Sequence, residues 1–282
     1  MTQQLHYLTI AATEAKAPGE RRNQDAVYAQ AWHNDKQIPC GLFVVADGVG
    51  GHKEGSLASQ MTVETISEVL QPIWKNIPPE APAREEYLKG HLYQAIVTAH
   101  RKILYHAQNH DIRMASTVTC ALVFGTTAVI ANVGDSRTYL LRHHHLEQLT
   151  TDHSVVAWLV REGKLTPEEA ADHPYRNVIM HALGANEIPE IDLFCHLLQV
   201  GDLLLLCSDG IWGTLSNDHI EQIVSAAADM QTAVTDIMTT AQDHTDDLTL
   251  VMAQLTKKKN TAVTQSGNGR SPFLAPFPFL AK

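Results

Sequence analysis

The sequence predicts a layered α+β fold on three observations. Short apolar runs such as "GLFVVA", "TVTCALVF" and "DLLLLC" have the length and composition of buried strands. Two long segments, "EGSLASQMTVETISEVLQPIW" and "REEYLKGHLYQAIVTAHRKILYHAQNH", change to a helical period. The order groups strands into antiparallel-looking hairpins with helices inserted among them. A doubly wound sheet would need strict alternation of strand and helix.

The elements follow in order. "LHYLTIAATEA", "DAVYAQAWH" and "GLFVVA" read as three strands. Leu57, Met61, Glu64, Ile66, Val69, Leu70 and Trp74 then mostly fit one helical face. "PPEAP" breaks the chain, and Leu88, Leu92, Ile96, Ala99, Ile103 and Leu104 mark a second helix. Strands return with "STVTCALVFG", "TAVIANVGDSRTYLLR" and "LEQLT", the first two joined by a Gly-Thr-Thr turn that suggests a hairpin. "HSVVAWLVREGKLTPEEAADH" reads as helix, broken at Gly163 and restarted by Thr-Pro-Glu-Glu, an N-cap followed by acidic first-turn residues. "DLLLLCSDGIWGTLS" is a buried strand ending in Asp-Gly. "SNDHIEQIVSAAADMQTAVTDIMTTAQ" carries one or two helices, and "DDLTLVMAQL" closes the series. From Lys257 the composition turns basic, then Gly/Ser/Asn-rich, then Pro/Phe-rich. The chain therefore divides into one domain, residues 1–256, and a tail, 257–282, expected to be disordered.

The formal net charge of −10 disfavours bulk binding to nucleic acid or anionic membrane. No apolar run approaches the roughly 20 residues that span a bilayer. The N-terminus lacks the cationic start and apolar stretch of a secretory signal. Cys40, Cys120, Cys195 and Cys207 show no CxxC pairing, and three of them sit in apolar runs, as buried thiols of a reducing compartment do. The expectation is a cytoplasmic protein. A cysteine phosphatase needs Arg six positions after its Cys; those positions hold Ala46, Thr126, Gly201 and Gly213.

The stretch "GLFVVADGVGGHKEG" poses the functional question. GxGxxG fails, because Lys53 takes the last glycine position. GxxxxGK[ST] fails, because Ser56-Leu57 follows Gly55. Alone, Asp47 and its glycines read as a turn. The pattern recurs, however. Asp209-Gly210 follows another apolar run, and Asp25, Asp135 and the pair Asp246-Asp247 also lie at strand ends or turns. Carboxylates gathered at one rim would repel, two charges about 4 Å apart costing about 4 kcal/mol at an intermediate dielectric. A hard divalent cation removes that penalty, and all-oxygen ligands suit Mg2+ or Mn2+ over zinc. His143–His145 reads as an exposed turn, and His106 with His110 as a helix surface pair lacking a third ligand.

Eight segments in order then carry a resemblance: "RRNQDAVY", "VVADGVGGHKEG", "STVTCALVF", "ANVGDSRTYLL", "LTTDHSVVAWLVREGKLTPEEA", "HPYRNVIMHALG", "LLLLCSDGIW" and "DDLTLV". Over roughly residues 5–255 the chain resembles the metal-dependent Ser/Thr protein phosphatases of type 2C in their compact bacterial form. The resemblance implies a four-layer α-β-β-α sandwich of two antiparallel sheets flanked by helices. It implies two Mn2+ or Mg2+ ions, with a third, weaker one in bacterial members. Asp47 would bridge both ions, the Gly48 carbonyl would add a ligand, and Asp209 and Asp246 would hold the other metal. Asp135 would join Asp209 at the third site, and Asp25 would orient the attacking water. His52 is the candidate general acid. The phosphate-binding arginine is displaced, since Glu20 stands at the usual position; Arg21, one residue on, is preferred over Arg22. Thr151 to Arg176 resembles the family's flap, with His153 and Ser154 at its start, and His181 stands where many relatives carry Arg. The implied substrates are phosphoserine and phosphothreonine proteins, products of a cognate Ser/Thr kinase, and the implied state is a monomer. The alternatives are a two-metal phosphohydrolase of small phosphoesters and a non-catalytic binding module of the same fold.

Overall fold

The computed structural model describes residues 6–15, 23–50, 52–185, 189–241 and 246–257. Eleven strands among the described residues make two antiparallel sheets. One sheet runs β1 (His6–Ala15), β11 (Leu248–Lys257), β10 (Leu203–Cys207), β7 (Arg137–Arg142), β8 (His145–Gln148). The other runs β2 (Asp25–His33), β3 (Pro39–Gly50), β5 (Val118–Phe124), β6 (Thr127–Val133), β9 (Asp192–Leu197), with β4 (Met114–Ser116) paired to the end of β3.

Three hydrophobic clusters lie between four layers. The first joins Leu42, Val44 and Leu122 to Ile66 and Leu70 of α1 (His52–Leu70) and to Leu88, Leu92 and Ile96 of α2 (Ala83–His110). The second joins Leu203, Leu205 and Leu250 to Ile211 of α5 (Asp209–Trp212), Ile220 of α6 (Asn217–Ala226) and Ile237 of α7 (Met230–Ala241). The third lies between the sheets and includes Phe43, Val45, Ala121, Leu140, Leu204, Leu206 and Val251. The central strands β5, β6 and β10 have no solvent face. That is why "DLLLLC" is unbroken: Leu203 and Leu205 serve the helix side, Leu204 and Leu206 the opposite sheet. The four-layer α-β-β-α sandwich is the architecture expected.

Local chemistry sets the boundaries. Phe124 pairs with Thr127, so Gly125 (φ +63°) and Thr126 close the predicted hairpin. Arg142 pairs with His145 in the same way, and His143 and His144 adopt positive φ as the exposed turn expected there. The restarted helix is α4 (Pro167–Ala171), following α3 (Val155–Arg161). Thr166 Oγ1 accepts from Glu169 N, and Glu169 Oε2 accepts from Thr166 N, a complete capping box.

Four readings change. Trp74 is not on α1: Pro72 sits in a 3₁₀ turn, Gln71–Lys75, which takes over where the helix stops. The run "TAVIANVGDSRTYLLR" is two strands in different sheets, divided at Gly134 (φ +100°). Periodicity did not single out β9, because its positions are mostly half-buried and carry no clear alternation. Finally, β3 does not stop at Asp47. It continues through Gly50, pairs Gly48 with Ser116, and hands over to α1 at His52. Of the sequence tail, all beyond Lys257 lies outside the described residues.

Candidate active site

The inter-sheet layer changes polarity along its length. Phe43, Ala121 and Leu140 fill its apolar part. Next come paired hydroxyls that bridge the sheets, Thr119 Oγ1 to Thr138 Oγ1 at 2.6 Å and Thr117 Oγ1 to Ser136 Oγ at 2.8 Å. Carboxylates close the end.

Asp25 and Asp47 are cross-strand partners on β2 and β3. Partners of this kind have Cβ atoms roughly 5 Å apart on one face. Asp47 shares its parity with Phe43 and Val45, so that face is the inter-sheet one. Its backbone is held on both sides by one residue: Thr117 N donates to Asp47 O at 2.8 Å, and Asp47 N donates to Thr117 Oγ1 at 3.1 Å. Ser208 Oγ donates to Asp25 Oδ2 at 2.7 Å and accepts from Thr249 N, tying β2 to the opposite sheet. Asp209 opens α5 directly after β10. Asp246 lies just before β11, and its Oδ1 accepts from Asp247 N. Asp135 occupies the crossover between β6 and β7.

Asp25, Asp47, Asp135 and Asp209 each feel the charges of neighbouring carboxylates. Burial pushes Asp47 well above the usual carboxylate range, and the charges of Asp25, Asp209, Asp135 and Asp246 push it further. Asp25 rises to about 7, from burial first and then from Asp209 and Asp247, against the opposing Ser208 hydrogen bond. Asp135 rises to about 8 through burial, Asp209 and Asp152. Asp209 rises to about 6 through burial and Asp246, and is within hydrogen-bonding reach of Asp47. The donor chemistry fits a hard divalent cation: the acidic groups supply oxygen only, and their charges destabilise one another without a counter-charge. Among the described residues no group of three or more His, Cys, Asp or Glu side chains already surrounds one ion position.

The structure therefore brings together Asp25, Asp47, Asp135, Asp209 and Asp246. Gly48 follows Asp47 on β3, and the space around it gives the glycine a packing reason. A Cβ there would lie 2.0 Å from the Gly55 carbonyl oxygen and 2.7 Å from that of Gln24. The glycine lets the first turn of α1 sit on β3. Gly210 repeats the device, since a Cβ there would lie 2.1 Å from the Asp247 carbonyl oxygen. Arg21 and Arg22 lie outside the described residues, as does the side chain of His52, which opens α1. His106 and His110 stack at 4.2 Å on the α2 surface.

Sequence reasoning missed the supports. Thr117 and Ser208 adjoin apolar runs, and that placement is their only signal. Asp247, adjacent to the candidate ligand Asp246, accepts from Gln24 N at 2.8 Å and so fixes the entry to β2. The segment resembling a flap, Thr151 to Arg176, is pinned at its start beside the carboxylates. His153 N donates to Gly134 O, and His153 Nε2 lies 3.1 Å from Asp192 Oδ2. Seven residues beyond its end, Leu183 exchanges two backbone hydrogen bonds with Ser116, the partner of Gly48.

Comparison with known proteins agrees with this geometry. The family model for Protein phosphatase 2C matches residues 16–258. The serine/threonine phosphatase stp of Listeria monocytogenes is 35% identical over 227 residues, 78% of this chain and 88% of that one. The solved serine/threonine phosphatase of S. agalactiae superposes with a TM-score of 0.75 at 32% identity, covering 88% of this chain and 99% of that one. The catalytic domain of the phosphatase PstP, solved in complex with two manganese ions, gives 0.74 at 29% identity over 89% and 99%. A two-sheet sandwich whose inner layer ends in buried aspartates defines the class, and the chain belongs to the protein phosphatase 2C family.

Proposed function

We propose that this chain is a metal-dependent protein phosphatase that hydrolyses phosphoserine and phosphothreonine. The observation that carries the reading is the convergence of Asp25, Asp47, Asp135, Asp209 and Asp246 from both sheets at one end of the inner layer. Asp47, the Gly48 carbonyl, Asp209 and Asp246 would hold two Mn2+ or Mg2+ ions, and Asp135 with Asp209 would hold a third, weaker one. Such ions, when bound, make water acidic enough to attack at neutral pH and offset the charge of the phosphoryl group in transfer. Asp25, steered by the Ser208 hydroxyl, orients the attacking water. Arg21 grips the phosphate with its paired N–H groups. His52 gives its proton to the departing serine or threonine oxygen. The bond from phosphorus to water forms in line as the ester bond breaks, with no phosphoenzyme.

A protein substrate is favoured over a small phosphoester by the segment between β8 and β9, which leaves Tyr175, Val178 and Met180 exposed. Exposed apolar surface of this kind suits peptide contact. The kinase partner and the monomeric state rest on family analogy. A cytoplasmic setting is supported by four free cysteines, three of them buried. Among the described residues no helix is long and apolar enough to cross a membrane.

The test compares Mn2+-dependent release of phosphate from phosphothreonine peptides and from a nucleoside monophosphate, with Asp47→Ala as control. We expect the peptide to be preferred at least tenfold and the variant to be inactive. Preference for the nucleotide points to the small-molecule alternative, and no turnover of either to a binding module.

A further inference from the structure

Three residues outside the carboxylate set link two of its members. Asp135 precedes Arg137, the first residue of β7, by two positions; Asp209 and Trp212 are the two ends of the single turn α5. The Arg137 guanidinium lies 3.7 Å from the centre of the Trp212 ring. Its plane is fixed at the same time by Asp152: Nε donates to Oδ1 at 2.9 Å and Nη2 to Oδ2 at 2.7 Å, while Nη1 donates to the Tyr139 hydroxyl at 3.1 Å. Gln148 Nε2 donates to Asp152 Oδ1 at 3.0 Å, which steadies the acceptor. The indole N–H of Trp212 is buried and makes no hydrogen bond among the described residues; the ring packs against the second hydrophobic cluster and turns a face to the guanidinium. Asp152 immediately precedes His153, whose N–H donates to Gly134 O, the residue before Asp135.

We infer that Arg137, clamped between Trp212 and Asp152, is a positioning residue that sets the separation of Asp135 and Asp209 and joins both to the start of the 151–176 segment. The inference rests on the metal-dependent reading above. The two carboxyls sit on different elements, a crossover loop and a helical turn, and would otherwise be free to part under their mutual repulsion. A guanidinium suits the task because it stacks and forks at once; an ammonium keeps the charge and does neither as well.

The test uses the full chain and titrates it with Mn2+ alone by calorimetry, alongside melting in EDTA and steady-state kinetics on p-nitrophenyl phosphate. Arg137→Lys is expected to stay folded, weaken Mn2+ binding about tenfold, and lower kcat at limiting Mn2+ with KM changed less than twofold. Trp212→Leu should weaken Mn2+ similarly, and Trp212→Phe, which keeps an aromatic face, should recover most of the loss. Variants that lower the melting temperature yet bind Mn2+ as the wild type does would overturn the inference and leave a purely structural ion pair. If Arg137→Lys does not fold, the Trp212 pair decides: equal Mn2+ affinity for the Phe and Leu variants overturns the clamp. Failure of the wild type to bind Mn2+ would instead sink the phosphatase reading itself.

Discussion

Asp209 has its carboxyl held near 6 because burial withdraws water and Asp246 adds a second negative charge. Asp25 and Asp135, at about 7 and 8, are in the same position. In the metal-free protein these groups keep protons that the unfolded chain has lost, between about pH 4 and pH 8. Their folded pKa values are raised, so the stability they contribute is complete below pH 4 and is lost as pH climbs through 6 to 8. Asp209→Asn removes one charge and relaxes its neighbours. It should raise the melting temperature of the metal-free protein at pH 8 by roughly 2–6 °C, with a smaller gain at pH 5 and little change below pH 4. The same variant should lose at least a hundredfold in kcat/KM. A metal-free melting temperature equally low in wild type and variant at pH 8 would mean that the carboxyls do not destabilise one another. These residues were legible because Asp at a strand end recurred five times. Ser208 and Thr117 were not legible, since a hydroxyl beside an apolar run shows its purpose only when the facing sheet is known.

At the scale of elements, the position of α1 on β3 depends on a contact between two backbones. Gly48 and Gly55 meet with so little room that either Cβ would strike the other residue's carbonyl. Gly48→Ala should therefore cost about 1–3 kcal/mol, the range of overpacked cores, and displace the Gly48 carbonyl from the site. Gly90 in α2 is the control: a Cβ there meets nothing within 4 Å, so Gly90→Ala should gain about 0.5–1 kcal/mol. Urea unfolding of both variants measures the difference, and equal effects would remove the steric account. Element types were readable because the period changed cleanly from strand to helix at α1 and α2. Sheet membership was not, because "TAVIANVGDSRTYLLR" looks continuous in composition while Gly134 turns its second half into the other sheet. Likewise the glycines after Asp47 read as a turn because their pairing partners, Met114 and Ser116, lie far along the chain.

For the whole molecule, the carboxylates occupy the one end of the inner layer where apolar packing gives way. Asp25 and Asp47 belong to one sheet, Asp209 and Asp246 to strand ends of the other, and Asp135 to the crossover between them. An ion held by this set cross-links the two halves of the sandwich, so metal binding is linked to global unfolding. At a free Mn2+ concentration one hundred times the dissociation constant, one site adds about 2.7 kcal/mol. For a domain of this size that is a rise of roughly 5–10 °C in melting temperature. EDTA should reverse it, and Asp209→Asn, already raised in the metal-free state, should show little further gain. Hydrogen exchange separates a global effect from a local one. Linkage through the fold predicts that Mn2+ slows exchange in β3, β10 and β11 together, including amides of the third hydrophobic cluster such as Val45 and Leu206. Protection confined to the amides of Asp47, Gly48 and Asp209, with the melting temperature unmoved, would mean that the ions bind at the rim without holding the sheets together.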